Sequence, residues 1–295
     1  MSSSPGTRAE VERDVTVLVK TFERPACLRR LVSSIRRFYP RIPIVVVDDS
    51  REPLEPAPDG VTRYWHLPFN SAGLAGGRNF GLRHVGTEHV LVSDDDMVFG
   101  RKTDLGKLLA TLEATPFDVV SCRWLDYDPW TGVRRGFRHW EGTLDIEDRV
   151  LVHRYGATRG TLHGLPVYDT VHNFFMASVE HLGPDPWNER LKVQEHTEFS
   201  LSLKERGLVS TVHPDVVVYH HPAFPEQYDA RREDRPPYHD LWLELRNLDR
   251  REPVGSMYTR SDKVVHELPS TTLWWLRRAG RVGRRVMSER RLRAS

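Results

Sequence analysis

The sequence predicts an α/β fold built on a mostly parallel sheet with helices on both faces. Three observations predict it: short β-branched apolar runs alternate with segments of helical spacing, the runs end on polar or acidic residues, and a Gly-rich stretch leads into one of the helices. Sheets of this kind bind ligands at the carboxyl ends of their strands, so the polar strand ends are where a site is expected.

The elements follow in order. Val15-Thr-Val-Leu-Val19 reads as the first strand, a loop runs through Thr21 to Pro25, and Leu28, Leu31, Val32 and Ile35 recur at helical spacing. Residues 42–47 form the second strand and lead into Asp48-Asp49-Ser50. After a Pro-rich loop and the stretch 62–66 comes Asn70-Ser-Ala-Gly-Leu-Ala-Gly-Gly-Arg-Asn79, read as a Gly-rich loop that opens a helix over about 79–85. The strand at 89–93 then delivers Asp94, Asp95 and Asp96 before apolar residues resume at Met97. Short strands with turns are expected over 116–168, including a hairpin signal at Asp128-Pro-Trp-Thr-Gly132. A helix from 194 to 206 precedes a strand over 216–219 that runs into His220-His221. The domain reading is a disordered N-terminus (1–13), an α/β domain (14–225) and an Arg-rich helical C-terminal extension (226–295).

Composition narrows the class. Forty-three Lys plus Arg stand against forty-one Asp plus Glu among 295 residues, a net charge of +2, so no global field points to nucleic acid. Cys27 and Cys122 fit neither a disulfide framework nor a zinc site and suit a reducing compartment. The stretch MSSSPGTRAEVERD has no apolar run of the secretory kind, and no segment approaches the roughly 20 apolar residues that span a bilayer. The expectation is a cytoplasmic protein. Its basic tail, 273–293 with Trp274 and Trp275, leaves two readings open: peripheral contact with the inner face of an anionic membrane, or a helix docked through its tryptophans.

Three adjacent carboxylates repel one another and titrate high unless something positive offsets them. A divalent cation is the simplest such partner for acids at the end of a buried strand.

Val15-Thr-Val-Leu-Val-Lys-Thr-Phe-Glu-Arg-Pro, Val45-Val-Val-Asp-Asp-Ser50, the Asn70 to Gly81 loop and Asp94-Asp95-Asp96 resemble, in order, four motifs of the family 2 inverting glycosyltransferases of GT-A fold. Over roughly 14–221, and again at Val171-His-Asn-Phe-Phe-Met-Ala177, the chain is similar to the β1,4-N-acetylgalactosaminyltransferases of the ganglioside-synthase type. The resemblance implies a Rossmann-like nucleotide-diphospho-sugar transferase that moves N-acetylgalactosamine or N-acetylglucosamine from a UDP-sugar to an acceptor hydroxyl. The acceptor, whether glycan, lipid-linked or small molecule, is left open.

The resemblance also implies roles. Thr21, Arg24, Asp48 and Asp49 would form the uridine pocket, and Arg78 and Asn79 would face the diphosphate or sugar, with Gly73 and Gly77 allowing close backbone approach. Asp94 would lie near the ribose with Asp95 beside it. Asp96 would bind Mn2+ or Mg2+ together with His220, with His221 as the alternative ligand.

An inverting reaction needs a base for the acceptor hydroxyl. The first turn Gln194-Glu-His-Thr-Glu-Phe199 offers His196, Glu195 and Glu198, where the resembled enzymes carry a Glu-Asp pair. His196 has the ordinary pKa best placed for the task. Trp124, Trp130, Trp140 and Trp187 are either sugar-stacking surfaces or core. Two other readings stand beside this one, a nucleotidyltransferase and a non-catalytic sugar-nucleotide-binding protein.

Overall fold

The computed structural model describes residues 6–128, 132–223 and 235–258, all within one compact unit, Met1–Thr259. In chain order the elements are α1 (Arg8–Asp14), β1 (Val15–Thr21), α2 (Pro25–Phe38), β2 (Ile44–Asp48), β3 (Arg63–His66), α3 (Gly73–Leu82), β4 (His89–Asp94), β5 (Met97–Val98), α4 (Leu105–Ala114), β6 (Val119–Tyr127) and β7 (Arg134–Arg138). They continue with β8 (Gly142–Glu147), β9 (Val150–Tyr155), β10 (Thr161–Leu162), β11 (Leu165–Tyr168), β12 (Phe174–Ser178), α5 (Val179–Leu182), α6 (Glu195–Glu205), β13 (Ser210–His220), α7 (Arg235–Leu245) and β14 (Arg250–Val254).

The main sheet runs β10-β11-β13-β6-β12-β4-β1-β2-β3, with β5 against β13 and β7 against β6. β1 lies parallel to β2 and β4, β2 to β3, and β6 to β13, while β12 enters antiparallel between β4 and β6. β1 and β2 are buried throughout, which is why they read as unbroken apolar runs. Alternate residues serve opposite layers: Val17 and Val19 pack with Leu28, Leu31 and Ile35 of α2, whereas Leu18 packs with Ala75 and Leu82 of α3 and Phe199 of α6. β6 pairs antiparallel with β7, on either side of the hairpin expected at 128–132, of which 129–131 lie outside the described residues.

Three segments differ from the sequence expectation. Arg8–Asp14, read as disordered, is helical because Thr7 and Glu10 close a capping box, with Glu10 Oε2 accepting from the Thr7 N–H at 2.7 Å. The Gly-rich stretch is helix from Gly73 onward, not loop. Its glycines let α3 lie close to β1, since a Cβ on Gly77 would come within 2.2 Å of Lys20 Cδ and one on Gly81 within 2.3 Å of Leu18 Cδ1. The C-terminal region is not purely helical: β14 pairs in parallel with β9 in a small sheet with β8, and Trp242 and Leu248 close a cluster over Leu144, Leu151 and Leu201. These segments pack on the same body as the residues before 225. The basic tail and Trp130 lie outside the described residues. Among those residues no helix is long and apolar enough to cross a membrane.

One irregularity shapes the site. β13 follows β6 from Ser210↔Val119 to His213↔Cys122, then resumes at Val217↔Arg123, so residues 214–216 bulge out of the pairing. Beyond the bulge His220 stands level with Asp126 of β6 and with Met97 of β5.

Candidate functional site

The carboxyl ends of β1, β2 and β4 converge as expected, and the three aspartates find cations within the chain. Arg24, at the start of α2, donates from Nη1 to Asp96 Oδ2 at 2.7 Å and from Nε to Asp95 Oδ2 at 3.2 Å. Its Nη2 also bonds Asp95, and the Thr21 hydroxyl donates to Asp95 Oδ2 at 2.6 Å. Arg78 of α3 donates to Asp94 Oδ1 at 2.7 Å and to Glu195 Oε1 at 2.6 Å. Two guanidiniums thus answer four carboxylates. Burial still outweighs Arg24 at Asp95, raising that carboxyl to about 6. Asp94, whose side chain is 23% exposed, is the most open of the three.

The second-strand acids are committed internally. Asp49 is fully buried, pairs with Lys20 and accepts the backbone N–H groups of Ala72 and Gly73 at 3.2 and 3.0 Å. It caps the N-terminus of α3, whose own Ala72 offers no side-chain cap. Asp48 accepts from Ser50 N–H at 2.8 Å and from the Tyr64 hydroxyl at 2.6 Å. The uridine-pocket role expected of the pair therefore falls on carboxylates already bonded by the protein.

Other expectations shift in the same way. Gly73 has φ +66 and lies against Lys192, so its freedom serves a close chain crossing. Gly77 accommodates the Lys20 side chain. Asn79 donates to the Trp187 carbonyl at 2.8 Å and to Glu189 at 3.0 Å, and accepts from the Trp187 N–H at 3.1 Å. It holds the loop before α6 through both ends of its amide. Trp187 stacks on Phe199 with ring centroids 4.9 Å apart and is core.

The candidate metal pair does come together. His220 Nε2 lies 3.3 Å from Asp96 Oδ2, while its Nδ1 is bonded to Asp126. Burial alone would lower the His220 pKa, but Asp96 and Asp126 outweigh it and raise it. His221 instead stacks on Tyr127 at 4.1 Å and donates its backbone N–H to the Asp96 carbonyl at 2.9 Å. Among the described residues no group of three or more His, Cys, Asp and Glu converges as a metal site. One carboxylate oxygen and one imidazole nitrogen facing each other are a fitting partial donor set for Mn2+ or Mg2+, to be completed by ligand oxygens.

The three base candidates separate clearly. Glu195, 2% exposed, opens α6 against Arg78; burial raises its pKa and Arg78 opposes the rise. His196 Nε2 is bonded to the Val171 carbonyl at 2.6 Å, its Nδ1 is enclosed without a partner, and burial drops its pKa to about 3. Its imidazole is a weak base held by the backbone. Glu198 accepts from Trp242 Nε1 at 3.0 Å and from Arg246 Nε and Nη2 at 2.7 and 2.9 Å, so it anchors α7.

Sequence reasoning missed Asp126, Glu141 and His172. Asp126 stands one residue before the end of β6, close to a strand end as Asp48 and Asp94 are, and strand-end logic would have found it. Glu141 is buried between His139 Nδ1 at 2.7 Å and His172 Nε2 at 3.1 Å, and no local signal marks it. Trp124 packs between His172 and His220, with centroids 4.8 and 4.5 Å away.

The sequence model of glycosyl transferase family 2 matches residues 16–179. Beta-1,4 N-acetylgalactosaminyltransferase 2 of Mus musculus is 36% identical over 224 residues, covering 73% of this chain and 41% of that protein. Beta-1,4 N-acetylgalactosaminyltransferase 1 of Rattus norvegicus is 36% identical over 204 residues, 68% of this chain and 38% of that protein. The chain thus spans about two fifths of these relatives, 41% and 38%. Among solved structures, S. aureus TarS in complex with UDP-GlcNAc superposes with a TM-score of 0.56 at 18% identity, over 80% of this chain and 67% of that one. The mannosyltransferase PcManGT from Pyrobaculum calidifontis, in complex with GDP-Man and Mn2+, gives 0.50 at 19% identity over 82% and 66%. At such identities the likeness is one of fold, the GT-A α/β fold.

Proposed function

The chain belongs to glycosyl transferase family 2, and from that premise we propose that it transfers a sugar from a UDP-sugar to an acceptor hydroxyl with inversion. The sugar is N-acetylgalactosamine or N-acetylglucosamine, a reading supported by the names of the curated relatives and by the UDP-GlcNAc bound to TarS. The acceptor is a glycan, a lipid-linked molecule or a small hydroxylated compound. One observation carries the reading: at the carboxyl ends of β1 and β4, Thr21, Arg24 and Arg78 meet Asp94, Asp95, Asp96 and Glu195 within direct hydrogen bonds.

In this reading Arg24 and Arg78 are the cations nearest the diphosphate, and Asp94, the most open of the three acids, faces the ribose. A divalent ion held by Asp96 and His220, manganese or magnesium, would supply charge neutralisation for the departing UDP. Glu195 takes the proton of the acceptor hydroxyl as it attacks the anomeric carbon opposite the leaving group. Its burial raises its basicity and Arg78 opposes the rise. His196 orients the first turn of α6 through Val171.

The test is a donor screen by UDP release, with and without EDTA, followed by mass spectrometry of products from candidate acceptors. Release from a UDP-N-acetylhexosamine that EDTA stops supports the reading. Turnover of only guanosine-diphospho-sugars would overturn the donor assignment, and EDTA-insensitive transfer would overturn the metal.

A further inference from the structure

Asp126 is a buried acid for which the proposed chemistry has no use. It is 3% exposed, stands one residue before the end of β6, and lies level with His220 across the parallel β6–β13 pairing. One oxygen, Oδ1, accepts from His220 Nδ1 and from Trp124 Nε1, the latter at 3.2 Å. The other, Oδ2, accepts from the Tyr258 hydroxyl at 2.6 Å and has Arg138 Nη1 4.0 Å away. Trp124 also packs edge-on against the His220 ring. The imidazole is therefore fixed by a bonded nitrogen, a strand register and an aromatic wall, and the nitrogen left over, Nε2, points to Asp96 at 3.3 Å.

We propose that Asp126 is a positioning residue that holds His220 with Nδ1 protonated and Nε2 directed at a divalent cation shared with Asp96, and that Tyr258 steadies Asp126 in turn. The inference rests on the metal reading above and deepens it. Its physical basis is general: a ligating histidine needs its second ring nitrogen bonded so that tautomer and ring orientation are set before the ion arrives, and a carboxylate in that place also raises the basicity of the ligand. Here the carboxylate is itself held from two further sides, which removes the rotamer freedom that would otherwise be lost on binding.

The experiment is Mn2+ titration of the full chain in the presence of UDP, read by the electron paramagnetic resonance of free Mn2+, for wild type, Asp126→Ala, Asp126→Asn, Tyr258→Phe and Asp96→Asn. Pulsed measurements on the bound ion add the 14N coupling of a ligating imidazole, with His220→Ala as its reference. The expected result is a rise in the Mn2+ dissociation constant of about 10- to 100-fold for both Asp126 variants, a smaller rise for Tyr258→Phe, and a weakened 14N coupling in Asp126→Ala. UDP affinity without metal should stay at the wild-type value in the Asp126 and Tyr258 variants. Should Asp126→Ala fail to fold, the near-isosteric Asp126→Asn and Tyr258→Phe decide. Wild-type Mn2+ affinity and 14N coupling in the Asp126 variants, with Asp96→Asn deficient, would overturn this inference and leave the metal reading standing. A wild-type protein that takes up neither Mn2+ nor Mg2+ would overturn both.

Discussion

Arg78 donates to Glu195 across 2.6 Å and so ties the glycine-rich helix α3 to the first residue of α6. Burial raises the Glu195 pKa and Arg78 opposes the rise, so the guanidinium limits how far the carboxyl is pushed from its ordinary value.

A base must be ionised to act, so transfer should fall on the acid side with an apparent pKa above the ordinary carboxylate value. Arg78→Gln removes the lowering influence, and the acid limb of kcat/KM should move to higher pH. Glu195→Gln should lose about two to four orders of magnitude in transfer, with the UDP-sugar KM little changed. A dead His196→Ala beside an active Glu195→Gln would reverse the assignment.

Glu198 is expected to matter for stability only. Its bonds to Arg246 and Trp242 are largely buried, and Glu198→Ala leaves Arg246 to Glu205 alone. A loss of about 1.5–3 kcal/mol in denaturant unfolding is expected, with activity per folded molecule retained. Loss of kcat in a variant that melts like wild type would return Glu198 to the chemistry.

Gly81→Ala should destabilise by about 1–3 kcal/mol, because its Cβ would come within 2.3 Å of Leu18 Cδ1 and 3.0 Å of Val47 Cγ2 in a packed layer. Gly86→Ala is the control, since nothing lies within 4 Å of its added carbon. Equal melting temperatures for the two would contradict the close contact of α3 with β1.

His196 is held at a pKa of about 3 by burial. The unfolded chain takes up a proton near 6.5 that the folded site refuses, so this stability is complete above that value and is lost as pH falls. Between pH 7.5 and 5 the loss is about 1–2 kcal/mol. His220, with its raised pKa, works in the opposite direction over the same interval. The comparison that isolates the effect is therefore between wild type and His196→Asn, whose unfolding free energy should depend less on pH by that amount. Identical pH dependence would mean that the His196 ring protonates freely in the folded protein.

The strand ends were legible because burial and charge contrast within a few residues, as at Val92 and Asp94. Arg78 and Glu195 were legible as residues but not as partners, since they lie 117 positions apart and no local pattern announces a buried ion pair of that span. Asp49 and Asn79 show the opposite case. Polar residues beside a suspected site look like ligand contacts, yet the backbone groups of α3 and of the 187 loop must be satisfied first, and these side chains satisfy them. His196 was favoured for its ordinary pKa, and burial against Val171 removes that advantage. The glycines of α3 suggested a loop because glycine is a poor helix former, but close packing on Lys20 and Leu18 overrides the propensity.

The bulge in β13 uncouples chain length before the site from the identity of the side chain that enters it. Pairing with β6 resumes at Val217 only because residues 214–216 stand outside it. Deleting or adding one residue there would shorten or lengthen the bulge while the paired stretch from Val217 to His220 keeps His220 level with Asp126. The station facing the acids is thus set by the pairing beyond the bulge and is insulated from changes of length before it.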